Sequence, residues 1–95
     1  MFDVFITSSA KKSAKRLPEE VKKEVVKLCE THISLHPFDA DKLQSPLDEC
    51  RSLHFKLNNT HYRIAYRIVE DKKRIDIVLI GTRENFYNKL KRALK

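Results

Sequence analysis

Glycine is almost missing from this chain: its 95 residues contain one, Gly81. Tight turns must then fall to Asn and Asp, which tolerate left-handed backbone geometry and hydrogen-bond their own main chain. Cysteine is scarce too, and Cys29 and Cys50 fit a reduced compartment better than a disulfide framework. No run approaches the roughly 18 apolar residues of a membrane-spanning helix, so no membrane association is expected. The opening Met1-Phe2-Asp3-Val4 lacks a basic n-region and an apolar h-region, so the expected location is cytoplasmic. Acidic residues are the minority, 13 Asp+Glu against 20 Lys+Arg, for a net charge of +7. That excess favours anionic partners such as nucleic acid or an acidic protein. There is no repeat, linker or low-complexity tract, and the length suits one domain, 1–95, with a single modest core.

What is present is a block of strand patterns from Arg51 to Tyr87. In Leu53-His54-Phe55-Lys56-Leu57 apolar residues alternate with basic ones, the period-2 pattern of a half-buried strand. Tyr62, Ile64, Tyr66 and Ile68 repeat it on one face of the next strand, with Arg63 and Arg67 on the other. Ile75 to Ile80 is nearly all apolar, as in a strand covered on both faces. Asn58-Asn59-Thr60 and Glu70-Asp71-Lys72-Lys73 supply the turns, so the block reads as an antiparallel meander.

Before it, Phe2 to Ile6 forms a first strand and Ala10 to Leu17 a short Lys-rich helix. Pro18, Glu19 and Glu20 suit the start of a second helix, on which Val21, Val25, Leu28, Cys29 and His32 recur at helical spacing. His36-Pro37 ends it. Residues 36–51 are irregular, with one helical turn expected over Asp39 to Leu43. Phe86, Leu90 and Leu94 mark a C-terminal amphipathic helix over Glu84 to Leu94, its apolar stripe read as core. The order β-α-α-β-β-β-α predicts an α+β domain: a small antiparallel sheet packed by an N-terminal αα-hairpin.

Two constellations bear on chemistry. His54 and Lys56 project from one strand face, Arg63 can face them across the Asn turn, and Arg83 and Tyr87 follow the last strand. RNA cleavage without a metal needs such a set: a base for the 2′-hydroxyl, cations for the phosphate and an acid for the leaving 5′-oxygen. Arg offers a planar fork to phosphate, and Tyr a ring for stacking on an unpaired base. Arg51 and Arg67 add positive charge to the same strand pair as candidate RNA-binding residues. The second constellation, Cys29, His32 and His36 in C-x2-H-x3-H spacing with Cys50 as a distant fourth, looks like metal ligands. It is one short cluster where structural zinc sites usually pair two, and no metal or other cofactor is expected.

The strands Leu53 to Leu57 and His61 to Tyr66, followed by Ile80-Gly81-Thr82-Arg83-Glu84-Asn85-Phe86-Tyr87, resemble the RelE/ParE superfamily of type II toxins over nearly the whole chain. The resemblance implies the same small sheet and helical hairpin. RelE-type members cleave mRNA in the ribosomal A site with basic residues, whereas ParE-type members inhibit DNA gyrase. Position by position, the RelE-like pattern falls on His54, Lys56, Arg63, Arg83 and Tyr87, with His54 where RelE has a lysine and a shorter Arg83-to-Tyr87 spacing. It implies Lys56 or His54 as the base, Arg63 on the phosphate, Arg83 at the leaving oxygen and Tyr87 orienting a base. A ribosome-dependent endoribonuclease leaving cyclic or 3′-phosphate and 5′-hydroxyl ends is the first expectation, and a gyrase inhibitor without nuclease activity the alternative. The implied partners are mRNA, the ribosome and a cognate antitoxin in a tight complex, with a heterotetramer as one stoichiometry.

Overall fold

The computed structural model describes residues 1–94. Strands β1 (Asp3–Ile6), β2 (Asp41–Lys42), β3 (Cys50–Leu57), β4 (Thr60–Val69) and β5 (Arg74–Thr82) form one sheet in the order β1-β5-β4-β3-β2. Helices α1 (Ser8–Ala14) and α2 (Glu19–Leu28) precede the meander, and α3 (Phe86–Ala93) follows it. The α+β architecture and the antiparallel β3-β4-β5 meander are those read from the sequence. Two strand pairings lay outside that reading. β1 runs parallel to β5, and the short β2 pairs with β3 where a helical turn was expected. Arg51 explains the second: its Nη1 donates to the carbonyls of Phe38 and Ala40, at 3.1 and 2.8 Å, and holds the chain extended along β3.

The β3–β4 turn carries the register on which the site depends. Asn58 and Asn59 have φ of 50° and 65°, so a two-residue turn of the left-handed kind joins Leu57 to Thr60. Asn occupies that geometry at lower strain than most residues, and its twist matches that of paired strands. His54 is thereby set opposite Arg63, and Lys56 opposite His61.

Period 2 then sorts the side chains. Ile64, Tyr66, Ile75 and Ile77 face α1 and α2 and pack with Ala10, Val21, Val25 and Ile33. On the other face Ala65, Val78 and Leu79 pack under Phe86 and Leu90 of α3. A bulge between Ala65 and Tyr66 leaves Val78 unopposed and turns two successive β5 residues toward α3. This is how a continuous apolar strand feeds both cores. Where β1 ends, α1 closes the β5 edge through side chains. Thr7 Oγ1 donates to Ile77 O at 2.7 Å, Ser9 Oγ donates to Val78 O at 2.8 Å, and Ser13 Oγ accepts from Ile80 N at 3.1 Å. An open strand edge is an aggregation hazard, and these hydroxyls cover it. Thr7 caps α1, its Oγ1 accepting from Ala10 N.

α2 departs from its simple periodicity. At Cys29–Ile33 it widens into a π-helical turn, closed by Ser34 N donating to Cys29 O at 2.9 Å. The extra residue rotates the helix, so Ile33 enters the core and His32 faces water.

Asp76 is 4% exposed and holds Arg74 at 2.8 Å and Arg67 at 3.4 Å. Asp76→Ala leaves two neighbouring guanidinium groups without their carboxylate. Its expected destabilisation is about 2–4 kcal/mol, the low side of breaking a buried ion pair because both arginines reach solvent. Urea unfolding of Asp76→Ala beside the exposed-site control Asp71→Ala measures it, and equal midpoints would refute the assignment.

Candidate functional site

The α3-side face of the β3-β4-β5 sheet is covered by apolar residues only at one end. Beyond Ala65 the helix no longer covers it, and the strands present two rows of polar side chains. His54 and Arg63 form one row, which ends on β5 at Gly81. Lys56 and His61 form the next, and the ladder continues to Arg83, whose N–H donates to His61 O at 3.2 Å. His54, Lys56, His61 and Arg83 are exposed, and Arg63 is half-buried.

Tyr87 reaches this face from the first turn of α3. Its hydroxyl accepts a hydrogen bond from Arg63 Nη1, and its ring lies 5.1 Å from the Arg63 guanidinium carbon. A cation over an aromatic face is held electrostatically, so Tyr87 fixes the guanidinium beside His54. Gly81 leaves the space beneath without a side chain, although a methyl there would meet the Phe86 ring at an ordinary 3.9 Å. Asn85, with φ of 56°, starts α3 in the left-handed conformation, which brings Tyr87 back over the sheet.

The local field acts on His54. Partial desolvation, then the neighbouring Arg63 charge, push its pKa below the usual histidine value, and Asp41 on β2 opposes them weakly. Both leading causes disfavour the imidazolium and so favour the neutral, proton-accepting imidazole.

Five of the sequence-derived residues thus share one surface: His54, Lys56, Arg63, Arg83 and Tyr87. Two others do not join them. Arg51 lies one residue out of phase on β3, so it projects from the opposite face, where it binds the Phe38 and Ala40 carbonyls and lies 5.4 Å from the Phe38 ring. It is a structural clamp there rather than a group free to hold phosphate. Arg67 is on the correct face but at its covered end, ion-paired with Asp76 at 3.4 Å and Glu49 at 4.0 Å. His61 is the residue the sequence reading passed over, although it is two positions from Arg63 and therefore in phase with it.

The C-x2-H-x3-H spacing does not converge. Cys29 is buried against the sheet with its thiol pushed up to about 11, chiefly by desolvation, while His32 and His36 are exposed. Among the described residues no three His, Cys, Asp or Glu side chains are grouped to hold a metal ion. Cys50, beneath α3, is pushed up to about 11 by the same cause. A groove of about 780 Å³ between α1 and α3 has Lys12, Arg16, Lys89 and Arg92 around apolar Leu79, Ile80 and Phe86. It offers cations but no imidazole or carboxylate, whereas the sheet face carries both His54 and His61.

The sheet with its helical hairpin has close counterparts among solved structures. The RelBE2 toxin–antitoxin complex of Mycobacterium tuberculosis matches with a TM-score of 0.77 and 24% identity, over 86% of this chain and 98% of that one. The isolated RelE toxin of E. coli matches with a TM-score of 0.67 and 18% identity over the full length of both chains. A mutant E. coli RelE bound to an antitoxin RelB peptide matches with a TM-score of 0.69 and 23% identity, over 99% and 95%. At these identities the likeness is one of fold. No curated protein sequence matches significantly. The family model for the ParE-like toxin of type II bacterial toxin–antitoxin systems matches residues 4–91. Nearly the whole chain, sheet face included, falls within that match, and the chain belongs to this family of type II toxins, in the RelE/ParE superfamily.

Proposed function

We propose that the protein is a ribosome-dependent endoribonuclease that needs no metal and cleaves mRNA in the ribosomal A site. The observation that carries this reading is the pair of adjacent rows, His54–Arg63 and Lys56–His61, beside Arg83 on an uncovered sheet face. His54, held neutral, takes the proton of a 2′-hydroxyl, and the 2′-oxygen attacks the adjacent phosphorus. The bond to the 5′-oxygen breaks, leaving a 2′,3′-cyclic phosphate and a 5′-hydroxyl. Arg63, Lys56 and Arg83 hold the phosphate and offset the charge that builds on its oxygens. Tyr87 keeps Arg63 in place and offers the remainder of its ring, 39% exposed as a residue, to an unpaired base. A cognate antitoxin, folding on the toxin as it binds, silences the protein by covering this cationic face.

Primer extension on a defined mRNA in a purified translation reaction, with and without ribosomes, tests the proposal. Cuts within codons that require ribosomes are expected. Their rate should rise with pH through a midpoint below the ordinary histidine value of 6.5 as His54 loses its proton. The sign follows from the base: its neutral form is active, and desolvation with the Arg63 charge keeps it neutral to lower pH. Ribosome-independent cuts would retain the nuclease and discard the A-site step. The ParE-like description of the matching family favours a second reading, a DNA gyrase inhibitor that cleaves nothing. Growth arrest with intact mRNA and inhibited supercoiling would establish that reading instead.

A further inference from the structure

Proton balance on this face is incomplete with the residues assigned so far. Transesterification removes one proton at the 2′-oxygen and must supply one to the departing 5′-oxygen. His54 accounts for the first. Arg63 and Arg83 cannot supply the second, because a guanidinium does not give up its proton in a protein. The Tyr87 hydroxyl lies against Arg63, in the His54–Arg63 row and not in the row of Lys56 and His61. Imidazole is the side chain suited to release and recover a proton near neutrality, and the face carries a second one.

We infer that His61 is the general acid, giving its proton to the 5′-oxygen as that bond breaks; the inference rests on the nuclease reading. His61 lies opposite Lys56 and diagonal to His54 across β3 and β4. Diagonal neighbours in such a pair are about 7–8 Å apart, room for a phosphate with one imidazole at its entering oxygen and one at its leaving oxygen. The Asn58–Asn59 turn fixes this register, and the Arg83 N–H bond to His61 O ties the strand end to β5. The residue gives nothing evident to stability. Its side chain is exposed, and its cross-strand and ladder neighbours are Lys56 and Arg83, an arrangement that repels when the imidazole is protonated. Neither packing nor ion pairing accounts for a basic group at this position, and a task in the reaction does.

A leaving group that needs no proton separates this role from phosphate binding. An mRNA carrying one 5′-bridging sulfur at the scissile linkage departs as a thiolate. His61→Ala is expected to cut the all-oxygen linkage at least about 100-fold more slowly than wild type. It is expected to match wild type on the sulfur linkage and to melt no lower than wild type. His54→Ala, lacking the base, is expected to be slow on both. Equal loss on both linkages by His61→Ala would show that His61 binds or positions, and no loss on oxygen would show no role; either overturns the inference. A wild-type protein that cuts neither linkage overturns the nuclease reading itself, and this inference with it.

Discussion

Alanine at Lys56 or Arg63 is expected to abolish growth arrest and to slow mRNA cleavage about 10²–10³-fold, with the fold intact. The magnitude is that of removing one fixed cation or donor from a charge-developing transition state. Lys56 is exposed and Arg63 lies against Tyr87, both outside the two apolar cores, so neither takes core packing with it. Arg63→Ala has a further consequence, because it removes the charge beside His54 and the partner of Tyr87. Its residual activity should therefore rise with pH through a higher midpoint than wild type, the opposite of what loss of an acid would produce. Arg51→Ala and Arg67→Ala are the internal controls. They remove comparable charge from the same strands, but from the clamp on Phe38 and Ala40 and from the Asp76 pair. Their expected effect is a loss of about 1–3 kcal/mol of stability with the cleavage rate per folded molecule unchanged. Induction in cells, melting curves and single-turnover cleavage separate the two classes. If all four substitutions reduce cleavage alike, net charge rather than site geometry governs the reaction.

The contrast between Arg51 and Lys56 shows how far the sequence was legible. Alternation alone assigns β3 residues to faces, since 54 and 56 share a parity that 51 does not. Arg51 could have been set aside on that ground, and His61 added on the same ground through Arg63. Arg67 was beyond this reasoning: its parity is right, and what occupies it is Asp76, nine residues away and aligned only by the β4–β5 register. That register contains a bulge no propensity reveals, and the bulge turns Val78 and Leu79 toward one face. The meander itself was readable because β3 and β4 alternate, β5 is a continuous apolar run, and each turn has its own Asn or Asp. The parallel seat of β1 was not, because it depends on α1 hydroxyls bonding the far part of the β5 edge. Nor was the loss of His32 from the apolar stripe of α2, since one inserted residue in a helix has no compositional mark.

The same dependence on long-range packing makes Phe86→Ala the largest structural effect expected in this chain. Phe86 is 1% exposed and Leu90 is completely buried, and together they hold α3 on Ala65, Val78 and Leu79. Truncating a buried phenylalanine typically removes about 3–5 kcal/mol, a large share of the roughly 5–15 kcal/mol available to a domain. The melting temperature should fall by about 12 °C or more. Because Tyr87 is the next residue, loosening α3 also withdraws the ring and hydroxyl that hold Arg63. Cleavage should thus decline at temperatures where the sheet is still folded, and Tyr87→Ala should reproduce that decline without the thermal penalty. Gly81→Ala adds a methyl at ordinary contact distance from the same ring and should change neither quantity. Circular dichroism melts run beside cleavage assays on the three variants check this. Should Phe86→Ala lose stability yet cut mRNA at the wild-type rate while folded, α3 would be a cover for the core and no part of the site.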